Sequence, residues 1–377
     1  MRKELGQYFT IDDNLQQYVF DRVKNRGSTL LEPSFGAGHL LKKFLQFDKN
    51  YPMFCFEIDD SIESVVSFDE KQNVEYCNFL TKDFDCKFKT IIGNPPYVKH
   101  SHGNLYIDFT KKCFELLDDE GELIFIVPSD FIKVTSASSV INEMAKVGTF
   151  TDFLFPHNEN LFNNASVDVV VFRYQRGLIN NKSVINDEEK YCNVIGGVIT
   201  FSDEQVSGEL VSNVFDVYVG LVSGKDEIYK VPFGNVDILT DRNDIEKFIF
   251  VREFPTPSDE INNHLLSNKE QLISRRIKKF NEKNWFEWGA PRNLKTIESN
   301  LGKPCVYVRN ITRQKEVAFK GNVTYFGGKL LCLIPKSEVD IDKIVEYLNS
   351  ESFKKDYTYS GRFKIGHRQL SLALLSI

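Results

Sequence analysis

The stretch Ser-Thr-Leu-Leu-Glu-Pro-Ser-Phe-Gly-Ala-Gly, residues 28–38, sets the architecture of the first half of the chain. Its apolar residues predict a short strand from Ser28 to Glu32, and a helical pattern follows Gly38 and continues through Leu45. The glycines at 36 and 38 permit a tight turn and a close approach of the backbone to a ligand. A strand, a glycine turn and a helix in this order begin an α/β arrangement.

The alternation of strands and helices continues to about residue 173. Further strands are predicted at residues 54–57, 74–77, 89–93, 122–127, 150–155 and 167–173, and helices at 105–117 and 137–147. This alternation predicts an α/β fold with a doubly wound, mostly parallel sheet. Ligands of such sheets bind beyond the carboxyl ends of the strands. The glycine turn, Glu57, Asn78-Phe79 and Asn94 all follow predicted strands, so they belong to one candidate site.

Composition favours a soluble protein large enough for two domains. The 377 residues are 42% hydrophobic and 27% charged, which is ordinary for globular chains. No apolar run is long enough to span a membrane, and the N-terminus lacks the apolar core of a signal peptide. The seven cysteines contain no C-x-x-C pair, which argues against disulfides and structural zinc. We therefore expect a cytoplasmic protein with no metal site and no membrane partner.

The charge is divided unevenly along the chain. Residues 1–205 hold 21 Lys and Arg against 31 Asp and Glu, a net of −10, whereas residues 206–377 hold 26 against 22, a net of +4. Within the second half, residues 275–329 hold 13 basic and 4 acidic side chains. A basic segment beside an acidic domain is typical of a protein that holds a polyanion. We place the domain boundary at residue 205, with a largely β module after it.

The tetrapeptide Asn94-Pro95-Pro96-Tyr97 follows the fourth predicted strand and ends it. Pro95 has no N–H, so its backbone offers a ligand only a carbonyl oxygen. The side-chain oxygen of Asn94 is a second acceptor, and Tyr97 supplies an aromatic face. Two acceptors beside a ring suit a planar group that carries an NH2. The tetrapeptide alone is equally consistent with a turn at the end of a strand.

Glu57, at the end of the second strand, can accept from two ribose hydroxyls. A dinucleotide-binding fold competes with this reading of the glycine turn. The turn lacks the third glycine of G-x-G-x-x-G, because Leu41 stands there, and this weakens the dinucleotide alternative.

Five elements stand in one order along the chain: Gly6-Gln7-Tyr8-Phe9-Thr10, residues 31–38, Phe56-Glu57-Ile58-Asp59, Asn78-Phe79 and Asn94-Pro95-Pro96-Tyr97. Together, and in this order, they resemble the γ-class amino-methyltransferases of restriction–modification systems. The resemblance covers most of residues 5–175. It implies a seven-stranded methyltransferase sheet in residues 1–205, an α+β target-recognition domain in residues 206–377, and the cofactor S-adenosyl-L-methionine. The implied activity is that of a site-specific DNA methyltransferase (adenine-specific, EC 2.1.1.72).

The resemblance assigns most of these side chains to the cofactor. Tyr8 and Thr10 would close over its methionine end, Glu57 would hold the ribose and Ile58 would pack on the adenine ring. Asn78 stands where the family usually has Asp, so weaker or differently oriented binding is expected. The full set of implied cofactor-binding residues is Tyr8, Thr10, Glu32, Pro33, Gly36, Glu57, Ile58, Asn78, Phe79, Asn94 and Pro96.

The implied chemistry is methylation of the exocyclic nitrogen of an adenine that has left the duplex. Acceptance of its hydrogens by Asn94 and the Pro95 carbonyl would localise the nitrogen lone pair and aim it at the sulfonium methyl. Tyr97 would stack on the flipped base, and the family pattern places a second base-contacting aromatic at Phe162. Phe162 could instead be one of the 32 phenylalanines that belong to the core, but its position beside Asn163-Asn164 in a polar loop favours exposure and contact with the base.

DNA contacts are expected from the basic second half. The predicted DNA-binding residues are Arg275, Arg276, Lys278, Trp285, Trp288, Arg292, Arg362, Lys364 and Arg368. We expect a monomer that binds double-stranded DNA, with any cognate restriction endonuclease on another chain. The motif also occurs in RNA N6-adenine and protein N5-glutamine methyltransferases, which stay open as alternatives, as does an inactive DNA-binding protein. The recognition sequence is not determined by these residues, and TCGA is a guess from overall resemblance.

Overall fold

The computed structural model describes residues 8–68, 74–100, 103–156, 168–203, 205, 208–359 and 361–375. The chain divides into two compact units, Met1–Gln205 and Val206–Ile377. In these described ranges, no helix combines the length and apolar character needed to cross a membrane.

The first unit alternates helices and strands along most of its length. Its helices are α1 (Asp13–Arg22), α2 (Lys42–Phe47), α3 (Leu105–Leu116) and α4 (Ser138–Val147). Its strands are β1 (Leu30–Glu32), β2 (Met53–Glu57), β3 (Val74–Tyr76), β4 (Phe88–Gly93), β5 (Leu117–Pro128), β6 (Gly148–Leu154), β7 (Val169–Arg176), β8 (Lys182–Ile185), β9 (Glu188–Ile195) and β10 (Val198–Ser202). A 3₁₀ turn, His39–Leu41, leads into α2, and another, Phe79–Thr81, follows β3.

These strands form one sheet in the order β10-β9-β8-β6-β7-β5-β4-β1-β2-β3. Strands β1 to β5 are parallel to their neighbours among themselves, and β7 is antiparallel to both β5 and β6. The predicted doubly wound, mostly parallel sheet is therefore confirmed, with the strand order reversing between β1 and β4. That reversal places the carboxyl ends of β1 and β4 on either side of a crevice.

The sheet is wider than predicted. The sequence predicts seven strands and, in the polar segment 177–193, a loop or an edge hairpin. The structure has an antiparallel hairpin there, formed by β8 and β9, and the described sheet has ten strands. Strand β8 pairs in parallel with β6, and β9 and β10 continue the sheet as antiparallel neighbours. The polar turn residues of this segment obscured the inward-facing positions, of which Ile185 and Cys192 are buried.

The central strands are buried on both faces. Leu30 and Leu31 are adjacent and fully buried, yet they belong to separate apolar clusters on opposite sides of the sheet. Ile91 and Ile92 in β4 divide in the same way. Burial on both faces explains why these strands are short continuous apolar runs without polar alternation.

The second unit mixes short helices with antiparallel strands. Its helices are α5 (Val211–Val214), α6 (Asp226–Tyr229), α7 (Asp259–Ser267), α8 (Lys269–Ile273), α9 (Leu294–Ser299), α10 (Ile341–Asn349), α11 (Glu351–Asp356) and α12 (His367–Ser371). Its strands are β11 (Glu209–Leu210), β12 (Phe215–Val219), β13 (Val236–Asp241), β14 (Asp244–Phe248), β15 (Pro304–Arg309), β16 (Ile311–Thr312), β17 (Ala318–Asn322), β18 (Leu330–Pro335), β19 (Thr358–Tyr359), β20 (Arg362–Lys364) and β21 (Leu374–Leu375).

A four-stranded sheet, in the order β12-β18-β15-β17, forms the centre of this unit. Tyr307 and Val308 on β15 contribute to different apolar clusters, so both faces of this sheet are covered. A smaller sheet, β16-β20-β19, carries Arg362 and Lys364 on exposed positions with buried Phe363 between them.

Candidate active site

A pocket lies at the carboxyl ends of β1 to β4 and holds about 970 Å³ of space, including its open mouth. The segment before α1 and the turns after four successive strands contribute to its walls. All eleven residues that the sequence assigned to the cofactor line this pocket. They are Tyr8, Thr10, Glu32, Pro33, Gly36, Glu57, Ile58, Asn78, Phe79, Asn94 and Pro96.

The glycine turn after β1 has a backbone that other residues rarely adopt. Gly36 and Gly38 have φ angles of 57° and 82°, in the left-handed region. A Cβ atom on Gly38 would lie 2.5 Å from the ring of Phe35. Glycine at these positions is therefore required by the backbone and by packing, and it brings the turn against the pocket.

Glu57 is the central link between this turn and the end of β2. Its Oε2 accepts from the Gly36 N–H at 2.7 Å, and its Oε1 accepts from the N–H groups of Ile58 and Asp59 at 2.9 and 3.0 Å. Only 7% of the residue is exposed. A carboxylate offers about four acceptor positions, so one on Oε2 stays available to a hydroxyl in the pocket. Ile58 beside it is 61% exposed and supplies an apolar surface.

Three polar atoms in the pocket wall are buried and have no hydrogen-bond partner among the described residues. They are Glu32 Oε2, Ser34 Oγ and His39 Nδ1. Burial, with the charge of Glu57 added, raises the pKa of Glu32 well above its ordinary value. Burial also lowers the pKa of His39. Buried polar atoms are normally paired, so this part of the pocket is built for a polar ligand.

The side chain of Asn94 is held from the N-terminal segment. Its Nδ2 donates to the Tyr8 carbonyl at 2.7 Å and to Thr10 Oγ1 at 3.0 Å. Its Oδ1 accepts from the Tyr97 hydroxyl at 2.5 Å. Because both amide hydrogens are engaged, Oδ1 is the atom with a free acceptor position.

Tyr97 is turned inward. Its hydroxyl lies 2.5 Å from Asn94 Oδ1 and 3.1 Å from the Ile126 carbonyl, and its ring stacks on Tyr8 at 5.0 Å. Burial raises the pKa of this hydroxyl well above its usual range, so Tyr97 stays protonated. Pro95, between Asn94 and the lining residue Pro96, is buried.

The turn after β3 is fixed from two sides. The Asn78 side chain accepts from the Leu80 N–H at 3.1 Å and caps the 3₁₀ turn. The Lys112 ammonium donates to the carbonyls of Phe79, Leu80 and Lys82 at 2.7, 3.0 and 2.5 Å. Phe79 is thereby held against the pocket, where its ring stacks on Phe109 at 5.6 Å.

Sequence reasoning missed several lining residues, chief among them Ser34, His39 and Phe109. The first two lie within or directly after the glycine turn, and a polar residue at the start of a strand–turn–helix unit was the available signal. Phe109 gave no signal, because its position at helical spacing on α3 is what core residues also show. Phe162, predicted to contact the base, lies outside the described residues.

Part of the first unit matches a known protein family. A family model described as Eco57I restriction-modification methylase matches residues 40–162. Residues 40–162 carry an Eco57I restriction-modification methylase domain. The resemblance to restriction–modification methyltransferases is thus confirmed. The matched range includes the turns after β2, β3 and β4, and so Glu57, Asn78 and Asn94.

Two curated relatives illustrate the extent of similarity around the methylase domain. Type II methyltransferase M.HincII from Haemophilus influenzae is 28% identical over 209 residues, which span 49% of this chain and 40% of that enzyme. Modification methylase CviBIII from Paramecium bursaria Chlorella virus NC1A is 32% identical over 152 residues, which span 34% of this chain and 39% of that protein. The aligned part of the chain thus spans about two fifths of the length of these relatives.

A solved structure shares the fold on either side of the methylase domain as well. The Type IIL restriction-modification enzyme MmeI, determined in complex with DNA, aligns with a TM-score of 0.60 and 11% identity. The alignment covers 98% of this chain and 68% of that one. At this identity the likeness shows the fold alone.

The second unit follows the methylase domain in the sequence. Three of its predicted DNA-binding residues are in its interior. Arg275, Trp285 and Trp288 are 8%, 3% and 2% exposed. The Arg275 guanidinium donates to the carbonyls of four residues, and the Trp288 indole donates to another carbonyl. Four of the five guanidinium N–H groups of Arg275 are used in these bonds. All three side chains are buried within the unit, so they stabilise the unit itself and we place no DNA contact on them.

The remaining predicted DNA-binding residues lie closer to the surface. Lys278 is paired with Glu287 at 2.8 Å, and Arg368 is half-buried. Four others are exposed and make no ion pair with a described carboxylate: Arg276, Arg292, Arg362 and Lys364. Arg313 and Lys315, after β16, are exposed and unpaired in the same sense.

Proposed function

We propose that the chain is a site-specific DNA methyltransferase that uses S-adenosyl-L-methionine to methylate N6 of adenine in double-stranded DNA. The observation that carries the proposal is the composition of the pocket. The pocket is lined by the glycine turn, by Glu57, which holds this turn, by three polar atoms without a described partner, and by the side chain of Asn94. The match of residues 40–162 to the Eco57I restriction-modification methylase model supports the proposal.

The described residues fit the proposed cofactor. The unpartnered Oε2 of Glu32 suits the ammonium of its methionine part, and the remaining acceptor position on Glu57 suits a ribose hydroxyl. Ile58 and Phe79 provide apolar contact for an adenine ring. When bound, S-adenosyl-L-methionine supplies an electrophilic methyl group.

The contribution of Asn94 follows from its fixed amide. Its Oδ1 would accept one hydrogen of the adenine amino group, and the Pro95 carbonyl would accept the other. Both contacts pull the nitrogen lone pair out of conjugation with the ring and orient it, which is catalysis by positioning and electrostatics. The Tyr97 hydroxyl also reaches the Ile126 carbonyl, so it can release Asn94 Oδ1 without losing its hydrogen bond.

DNA contact would come from the second unit, as the target-recognition domain. The exposed and unpaired Arg276, Arg292, Arg362 and Lys364 would contact phosphates. The target adenine must leave the duplex to reach a pocket, at a cost of a few kcal/mol. Stacking on Tyr97 would offset part of that cost if its ring moves off Tyr8. A restriction endonuclease on a separate chain would complete the system.

Methyl transfer to defined substrates tests the proposal. The purified chain is incubated with methyl-labelled S-adenosyl-L-methionine and, separately, with double-stranded DNA of mixed sequence, the equivalent RNA, or a glutamine-containing release factor. Label in N6-methyladenine from DNA supports the proposal, and label confined to RNA or protein refutes it. Asn94→Ala should abolish transfer while DNA binding, measured by fluorescence anisotropy, is retained. Normal transfer by this variant would refute the assigned mechanism.

A further inference from the structure

The amide of Asn94 is held in one of its two orientations by residues before and within α1. An Asn amide is nearly symmetric in shape, and a half-turn exchanges its acceptor oxygen for a donor NH2. With the NH2 toward a substrate amine, two donors would face each other. Asn94 can therefore act as an acceptor only if neighbouring residues hold its amide with the oxygen toward the substrate.

The Tyr8 carbonyl makes the selection, and Thr10 reinforces it. A carbonyl can only accept, so Nδ2 must face it, at 2.7 Å. Thr10 Oγ1 receives the second amide hydrogen at 3.0 Å from a residue that is only 3% exposed. If the amide turned over, Asn94 Oδ1 would face the Tyr8 carbonyl oxygen, and that carbonyl would lose its donor; the Thr10 hydroxyl would have to change from acceptor to donor to keep its bond.

Gln16 on α1 fixes the backbone of Thr10 in turn. Its Nε2 donates to the Thr10 carbonyl at 2.8 Å, and Gln16 itself is 2% exposed. Helix α1 is anchored at its start, where Asp12 accepts from the Leu15 N–H at 2.9 Å. Gln16 does not line the pocket, so its effect on a reaction there must pass through Thr10.

We infer that Thr10 and Gln16 are positioning residues that hold Asn94 with its oxygen toward the substrate amine. The inference rests on the proposed function, because it concerns the residues that hold Asn94 Oδ1, the acceptor atom assigned there. It assigns to Thr10 an action on Asn94 that is distinct from contact with the methionine end of the cofactor, and it gives a role to Gln16.

The test compares Thr10→Val, which keeps the shape but removes the acceptor, with Thr10→Ser, which retains it. Dissociation constants for S-adenosyl-L-methionine and single-turnover methyl transfer at saturating cofactor and DNA are both measured. We expect Thr10→Val to slow transfer about five- to tenfold at saturating cofactor, the effect of one lost hydrogen bond, in addition to any loss of cofactor affinity. Thr10→Ser should restore the rate to within about twofold. A weaker affinity with an unchanged saturated rate would overturn the inference.

Gln16→Leu gives an independent variant that leaves every pocket side chain in place. It should slow transfer in the same direction with unchanged cofactor affinity. Gln17→Leu is its matched control, since Gln17 pairs with Asp21 on the outer side of α1 and should have no effect. Equal rates for Gln16→Leu and Gln17→Leu would overturn the role of Gln16.

A thermal double-mutant cycle separates this inference from the proposed function. If Thr10 and Asn94 are bonded as described, Thr10→Val should lower the melting temperature of wild type but not that of Asn94→Ala. Additive losses would overturn the inference even in a fully active enzyme. Inactivity of the wild type toward DNA would instead refute the proposed function, and the melting data would still decide the contact.

Discussion

Replacing Glu57 by Gln tests the hydrogen-bond arrangement that joins the glycine turn to β2. The carboxylate accepts from three N–H groups, one through Oε2 and two through Oε1. A glutamine has one acceptor oxygen, so its NH2 must face either the Gly36 N–H or the N–H groups of Ile58 and Asp59. At least one bond to a charged group is lost, which costs about 1.5–3 kcal/mol.

The lost hydrogen bond should lower the affinity for the cofactor, because the cofactor-bound state requires the glycine turn and Ile58 in the positions that these bonds maintain. About 1.5–3 kcal/mol corresponds to roughly 10- to 150-fold weaker binding. The saturated methyl-transfer rate should change less than about threefold, since Glu57 does not contact Asn94. Isothermal titration with S-adenosyl-L-methionine measures the affinity, and single-turnover transfer measures the rate.

Glu75→Gln provides the matched control. Glu75 lies on the neighbouring strand β3 and makes an exposed ion pair with Lys82 at 2.7 Å, which contributes little. The Glu75→Gln variant should bind the cofactor with the same affinity as wild type. Circular dichroism establishes that both variants are folded. Wild-type affinity in folded Glu57→Gln would refute the reasoning, because the three hydrogen bonds would then have no bearing on the pocket.

Three further outcomes follow from the described contacts. The pKa of Glu32 is raised, so its carboxyl holds a proton in the ligand-free protein below that pKa. A cationic group of the cofactor should displace this proton on binding. Cofactor affinity should therefore rise as pH increases toward the pKa of Glu32. Titrations between pH 5 and about 8 should show this slope in wild type and a flatter one in Glu32→Gln. Lys112→Met should weaken cofactor binding about tenfold with an unchanged saturated rate, because three carbonyls lose their donor, whereas exposed Lys111→Met should match wild type in both measurements. Arg275→Met should lower the free energy of unfolding by roughly 2–4 kcal/mol in urea titrations, whereas Arg276→Ala should leave it unchanged and reduce the salt slope of DNA binding by about 1. The reverse pattern for the two arginines would contradict their assigned burial.

The architecture of the first unit was predictable because its strands are short apolar runs separated by polar turns. A parallel sheet brings the carboxyl ends of its strands to one edge, so residues such as Glu32, Glu57 and Asn94 converge whatever the details of packing. Of the three further strands, β8 and β9 were predicted only as a loop or an edge hairpin, and β10 escaped prediction. Their apolar positions, such as Ile185, are too few to stand out from the polar turns around them.

Burial in the second unit could not be predicted from composition. Arg275 and Trp288 occupy the most basic stretch of the chain, and a basic, aromatic segment indicates nucleic-acid binding as readily as a core. The difference lies in tertiary partners: backbone carbonyls surround the Arg275 guanidinium, and the ring of Phe280 lies 3.8 Å from it. The carbonyl of Leu272 is local, but that of Ser223 comes from a distant segment and leaves no trace in the local sequence.

The departure from the family pattern at position 78 is explained in part by the local backbone. Asn78 accepts from the Leu80 N–H, and an Asp would cap the turn equally well, so this change leaves the backbone undisturbed. The two residues differ in charge and in the atoms that remain for a ligand. An Asp would present a second acceptor oxygen, whereas Asn presents the donor Nδ2. In the proposed enzyme, the adenine edge of the cofactor would offer both an amino donor and a ring-nitrogen acceptor, so either residue would have a partner, and we expect the change to shift which atom of the edge is bound.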